Sequence, residues 1–141
     1  QEHDWENQPV SAIVHDVARF LVEVYQRDIG VLRSLNLKAR LYGDSQFRQR
    51  EQDAWDRMFP RLQRLLLKDP GAILHPDPKA ATRFGFQVMF FSLREFVLWE
   101  PLREGARPGA GPNAGPGSGL PAGLAAESAR VFLAYLGVKE S

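Results

Sequence analysis

Residues 84–99 read FGFQVMFFSLREFVLW, and this stretch decides the fold. At about 100° per residue it separates into two apolar arcs. Phe84, Val88, Phe91, Leu98 and Trp99 cluster on one side. Phe86, Met89, Phe90, Leu93, Phe96 and Val97 lie roughly opposite. Only Arg83, Gln87 and Arg94 form a plainly polar strip. A helix that is apolar nearly all round has to be covered on two sides. One side can be covered by the rest of a small helical subunit, and a second copy of the chain is the simplest cover for the other. The alternative is a monomer that wraps both.

The remaining sequence supplies the helices to do this. His75-Pro-Asp-Pro78 sets up the start of the decisive helix, with Asp77 as N-cap and Pro78 in the first turn, and the pattern runs to about Glu100. Upstream, a first helix is expected from Pro9 to Ile29, with Ile13, Val14, Val17, Phe20, Leu21, Val24 and Tyr25 on one face and Gly30 as the stop. A shorter helix from Val31 to Tyr42 ends at Gly43. A third, capped by Asp44 or Ser45, reaches about Lys68. Its inner stripe holds Phe47, Trp55, Met58, Phe59, Leu62, Leu65 and Leu66, and a kink is expected at Pro60. Residues 101–123 hold five of the ten prolines and seven of the twelve glycines, so residues 101–122 are expected to be a flexible linker. A last helix ends at Leu136 before Gly137. Its stripe of Ala125, Ala129, Phe132, Leu133 and Leu136 puts small residues four apart, which permits close helix approach. Strand-like alternation is absent throughout. The expected class is all-α, a five-helix bundle or orthogonal domain behind a polar tail, residues 1–8.

Composition bounds the function. The 141 residues are long enough for one domain with a real core, and a net charge of +1 favours neither nucleic acid nor membrane. The absence of cysteine excludes disulfides and thiolate metal sites and points to a reducing cytoplasm. No stretch has the roughly 18 uninterrupted apolar residues of a membrane span. His3, His15 and His75 are scattered, with no metal-ligand spacing, and each is expected to be exposed. Gly109, Gly111 and Ala114 match a dinucleotide-binding pattern formally, but they follow a helix and are interrupted by Pro112. Arg48, Arg50, Arg57, Arg61 and Arg64 form a basic run interspersed with Asp53 and Asp56, which reads as a solvated face. No nucleophile elbow or P-loop occurs, so the domain reads as non-enzymatic, with no cofactor and no metal.

Aromatic residues on the inward faces leave two readings open: an ordinary core, or the wall of a small-molecule pocket. Phe20, Tyr25, Asn36, Trp55, Phe59, Phe84, Val88, Phe91 and Glu95 are the candidate ligand contacts. Glu95, set among Phe84, Val88, Phe91 and Trp99, needs a counter-charge; Arg40, Lys38 or a ligand cation would serve. Phe86, Phe90, Leu93, Val97, Ala125, Ala129, Phe132 and Leu136 are the candidate dimer contacts, on the last two long helices.

Three segments, Ala18–Ala39 (ARFLVEVYQRDIGVLRSLNLKA), His75–Glu95 (HPDPKAATRFGFQVMFFSLRE) and Ala125–Val138 (AAESARVFLAYLGV), together resemble the C-terminal domain of TetR-family transcriptional regulators. The resemblance implies a homodimer formed by the last two helices and an internal pocket for a small hydrophobic effector. It also implies DNA binding through a helix-turn-helix module that precedes this domain. Nothing before Pro9 could form one, so the chain is expected to be the sensor without its DNA reader, unable to bind DNA specifically by itself. The long Gly/Pro linker departs from compact members of the family.

Overall fold

In a computed structural model of the chain, which describes residues 4–43, 45–105 and 123–139, every regular element is a helix. The all-α class expected from the sequence is the one adopted. Helix α1 (Val10–Arg27) buries Val10, Ile13, Val14, Val17, Ala18, Leu21 and Tyr25, a stripe at helical spacing. It ends earlier than Gly30. Asp28 alone separates it from α2 (Ile29–Tyr42) and belongs to both: its N–H donates to the Val24 carbonyl, and its own carbonyl accepts from Leu32. An aspartate tolerates this non-helical junction residue well, and Gly30 lies inside α2. Gly43 closes α2 in the left-handed conformation, φ 63°, where a side chain would be strained.

Helix α3 (Ser45–Leu66) runs through Pro60, and α4 (Pro78–Gly105) continues five residues past its expected end at Glu100, so residues 101–105 of the expected linker are helical. The rest of that linker lies outside the described residues. Asp77 caps α4, its Oδ1 accepting from the Ala80 N–H at 3.1 Å. Helix α5 (Leu124–Leu136) stops in a Schellman turn: Gly137, φ 72°, and Val138 return their N–H groups to the Ala134 and Leu133 carbonyls. The two ends are tied together, since the His75 N–H donates to the Leu136 carbonyl and the His75 ring lies 5.1 Å from that of Tyr135. His75 is therefore half-buried rather than exposed, as is His15.

Helix α4 is the axis of the domain and touches each of the other four helices, whereas α5 touches only α1 and α4. Helices α1, α4 and α5 enclose the main core of Ile13, Val14, Phe86, Leu93, Leu133 and Leu136, all essentially inaccessible to water. Helices α2 and α3 flank α4 on its other side and meet each other there. This arrangement leaves one flank of the α4–α5 pair without cover from the described chain.

Candidate functional site

Helix α4 does have one face in the core and one apolar face outside, and for most residues the assignment is the reverse of that expected from the sequence; Leu98, of the Phe84 arc, is buried, and Phe96, of the Phe86 arc, is 41% exposed. Phe86, Leu93 and Val97 are fully buried in their own subunit, with Phe90 partly buried beside them. On α5, Ala129, Phe132 and Leu136 are buried and Ala125 is partly so. None of these eight candidate dimer contacts forms a free face. Conversely, Phe84, Val88 and Phe91, expected to point into a pocket, are 58%, 43% and 49% exposed, and Phe20 on α1 is 47% exposed. The physical reason is that both arcs are apolar, so hydrophobicity marks two faces without saying which is inside.

The signal that distinguishes them is small-residue spacing. Ala81 and Gly85 stand four apart on α4 and both are buried. A Cβ built on Gly85 would come within 2.4 Å of the Phe132 ring and 3.1 Å of the Tyr135 ring. Glycine here lets α5 approach the α4 backbone, which fixes the rotation of α4 about its axis and turns Phe86, Leu93 and Val97 inward.

The outer flank of the helix pair forms an open groove of about 480 Å³. Phe84, Val88, Ser92 and Phe96 form one wall and Leu124, Ser128, Val131 and Tyr135 the other, over a floor of Gly85, Met89 and Phe132. The helices run antiparallel here: Phe84, near the start of α4, packs on Tyr135, near the end of α5, with ring centroids 5.9 Å apart. Among the described residues Glu127 is the one charged member of the lining, and it pairs along α5 with Arg130 at 2.7 Å. Phe96, Val131 and Tyr135 remain at least 41% exposed. Val131 and Tyr135 stand beside the buried α5 stripe and face solvent.

The inner candidates converge on a different place. Trp55 stacks on Phe59 with centroids 4.9 Å apart and planes 5° from parallel, and meets Phe86 at 5.2 Å and Phe90 edge-on at 5.9 Å. Tyr25 reaches the same group through Phe90, again edge-on. Three of the expected ligand contacts, Tyr25, Trp55 and Phe59, thus pack directly against Phe86 and Phe90, which were expected at a dimer seam. Edge-on and offset contacts of this kind contribute about 0.5–1.5 kcal/mol each beyond area burial.

Polar groups border this aromatic cluster. Arg94 donates to Glu51 at 2.7 Å and lies 5.0 Å from the Phe91 ring and 6.0 Å from the Phe90 ring. The Tyr25 hydroxyl and the Asn36 Oδ1 are buried with no hydrogen-bond partner among the described residues. Burial pushes the Tyr25 phenol well above its ordinary value; nearby Arg94 opposes the shift and Glu51 adds to it. Glu95 is not buried among rings. It accepts from Arg40 at 3.0 Å in a half-exposed pair, with the Arg40 guanidinium 5.9 Å from the Trp99 ring. A pair this accessible contributes at most about 1 kcal/mol.

No group of three or more His, Asp or Glu among the described residues could hold a metal ion. No described helix is long and apolar enough to cross a membrane. No protein-family model, no curated protein and no solved structure matches this chain. The functional reading therefore rests on the two features above: an uncovered apolar groove and a packed aromatic interior with unpartnered polar atoms.

Proposed function

We propose that this chain is the dimerising, effector-sensing domain of a TetR-like transcriptional regulator, and that two copies meet through the α4–α5 groove. The observation that carries the reading is the exposure of Phe84, Val88, Phe96, Val131 and Tyr135 on one continuous flank of two antiparallel helices. Singly exposed apolar residues are ordinary, but a contiguous row of them marks an association surface. A two-fold axis beside the pair would set α4 and α5 of one copy against those of the other as a four-helix bundle, with the same residues contributed twice. A standard interface buries about 800 Å² on each partner, a demand two helices can meet. The TetR resemblance supports the same pair of helices, with the contacts moved to the outer arc.

The effector, a small apolar or aromatic molecule, is assigned to the region of Tyr25, Asn36, Trp55 and Phe59. Its support is the buried, unpartnered Tyr25 hydroxyl beside a run of rings, together with a second buried, unpartnered polar atom, Asn36 Oδ1, on α2. Because that interior is filled by side chains, binding there requires α1, α2 or α3 to shift relative to α4. Such a shift is a natural way to couple ligand to dimer geometry. Sequence-specific DNA reading belongs to a separate helix-turn-helix module.

Light scattering on the chain at micromolar concentration tests the dimer. A mass about twice 15.9 kDa is expected. Phe84→Glu combined with Val131→Glu should give a folded monomer. A wild-type monomer sinks the reading, and a stable hetero-complex through the same residues would make the domain a helical adaptor instead. Tryptophan fluorescence titrated with a panel of aromatic ligands checks the effector claim separately; an unchanged signal reduces the domain to a dimerisation module.

A further inference from the structure

The outward face of α3 carries an arginine row whose partners are not the acids that the sequence sets beside it. At about 100° per residue, Arg50, Arg57, Arg61 and Arg64 fall within an arc of about 60°, and they span about 21 Å along the helix. All four are exposed. The acids of this helix are engaged elsewhere: Asp53 accepts from Gln49 and Asp56 from Gln52, both at 2.9 Å, and Glu51 holds Arg94 of α4. The four arginines make no ion pair within the described residues, so their guanidinium donors are not taken up by Asp53 and Asp56, which reduce the net charge of the face without occupying the row.

The row ends in a built corner. Lys68 donates its Nζ to the backbone carbonyls of Trp5, Glu6 and Gln8, at 3.0, 2.6 and 2.7 Å, and so fastens the N-terminal turn against the end of α3. Beside it a hollow of about 370 Å³ is lined by Trp5, Arg61, Arg64, Leu65 and Lys68, with Glu6 the one acid among the described residues. The arc itself has no large apolar side chain; Gln46 is its other member, with Ala54 just beyond one edge and Asp53 just beyond the other. A helix that inserts its face into a membrane needs such side chains, whereas phosphate contacts need only cations at intervals along a rod.

We infer that the α3 arginine row is a non-specific docking surface for the phosphate backbone of a duplex nucleic acid. Its span corresponds to about six base-pair steps of 3.4 Å. Helix α3 does not touch α5, so the row stays accessible when the α4–α5 groove is covered, and it does not depend on dimerisation.

The test is fluorescence anisotropy of a labelled, random-sequence DNA duplex titrated with the full chain across a salt series. Four neutralised phosphates give a log–log salt slope of about −3.6. The triple variant Arg57→Gln, Arg61→Gln, Arg64→Gln should flatten it to about −0.9 and weaken binding by roughly tenfold or more near 50 mM salt. Arg→Lys at the same three positions should retain the wild-type slope, because phosphate contacts of this kind need only the charge. Arg19→Gln with Arg27→Gln on α1 should change nothing. Absence of duplex binding by the wild type at low salt overturns the inference, as does a triple Gln variant that binds like wild type. Sedimentation with phosphatidylserine-containing vesicles but no duplex binding would assign the row to a membrane and overturn it equally.

Discussion

Phe84 and Phe86 stand two residues apart on α4 and carry the same ring, yet one is 58% exposed and the other fully buried. Along most of the helix the same division holds, with Val88 and Phe91 outside and Met89, Leu93 and Val97 inside, while near its end Phe96 of the inner arc is exposed and Leu98 of the outer arc is buried. Composition does not separate the two arcs. What separates them is that α1, α3 and α5 converge on one, while the other is left beside a groove between only two helices. A helix can therefore satisfy its own core and still present an equivalent apolar surface, and the second surface is available for association.

The largest test of this comparison is a pair of truncations. Phe86→Ala removes a ring in contact with Trp55, Phe59 and Phe132 and should cost about 3–5 kcal/mol in urea denaturation. Phe84→Ala should leave the stability of a single copy within about 0.5 kcal/mol, because its ring is already largely hydrated. Its effect should appear in self-association instead. Equal losses of stability from the two substitutions would mean that the inner and outer faces are wrongly assigned.

Gly85 sharpens the comparison, since it is the position that sets the rotation of α4. An added Cβ would meet the Phe132 ring at 2.4 Å, and Phe132 is itself buried, so its ring has little room to yield. Two effects oppose each other in Gly85→Ala. Helix propensity favours alanine by about 0.8–1.0 kcal/mol, and overpacking disfavours it by about 1–3 kcal/mol. A net loss of about 1 kcal/mol is expected, read as a lower Tm. A variant more stable than wild type would show that α5 is free to move away and that the glycine does not determine the packing.

The same residues explain what the sequence makes legible. Helix number and type follow from periodicity and from local stops whose physics is confined to a few residues: the Asp77 cap, the Gly43 and Gly137 turns, and Pro78 in a first turn. Which arc of α4 is inside does not follow from these, because it depends on the direction from which α5 approaches. That information resides in Ala81 and Gly85, where the absence of side-chain atoms matters more than any side chain present. The α1–α2 junction at Asp28 was hidden for a related reason: Gly30 has the better intrinsic claim to a stop, but an aspartate already serves both neighbouring helices. Sequence alone sets Glu95 among rings by turning Phe84, Val88 and Phe91 inward; with those three facing outward, its pairing with Arg40 needs no ligand. The aspartates of α3 mislead in the opposite sense, since proximity in sequence to arginines does not decide which side chain they bond.

Tyr25 offers the smallest effect and the finest probe of the inner face, because it packs on Phe90 with its hydroxyl buried and unpartnered. An unsatisfied buried hydroxyl costs about 1–3 kcal/mol, and exchanging it for hydrogen removes that cost without leaving a stranded partner. Tyr25→Phe should therefore match or exceed wild-type stability at pH 7, by up to about 1 kcal/mol. The pH dependence carries a definite sign. The folded-state phenol titrates above its ordinary value of 10.0, so the wild type keeps this contribution in full below that pH. Above it the unfolded chain releases a proton that the folded chain retains, and stability falls by about 1.4 kcal/mol per pH unit until the folded-state value is reached. The Phe variant lacks that step, so the stability difference between the two proteins should widen in its favour as the pH rises through 10 to 11. Parallel curves over that interval, or a clear loss at pH 7, would mean that the hydroxyl is hydrated or bonded, and the inner face of α4 would then be wetter than the packing of Tyr25, Phe90 and Trp55 implies.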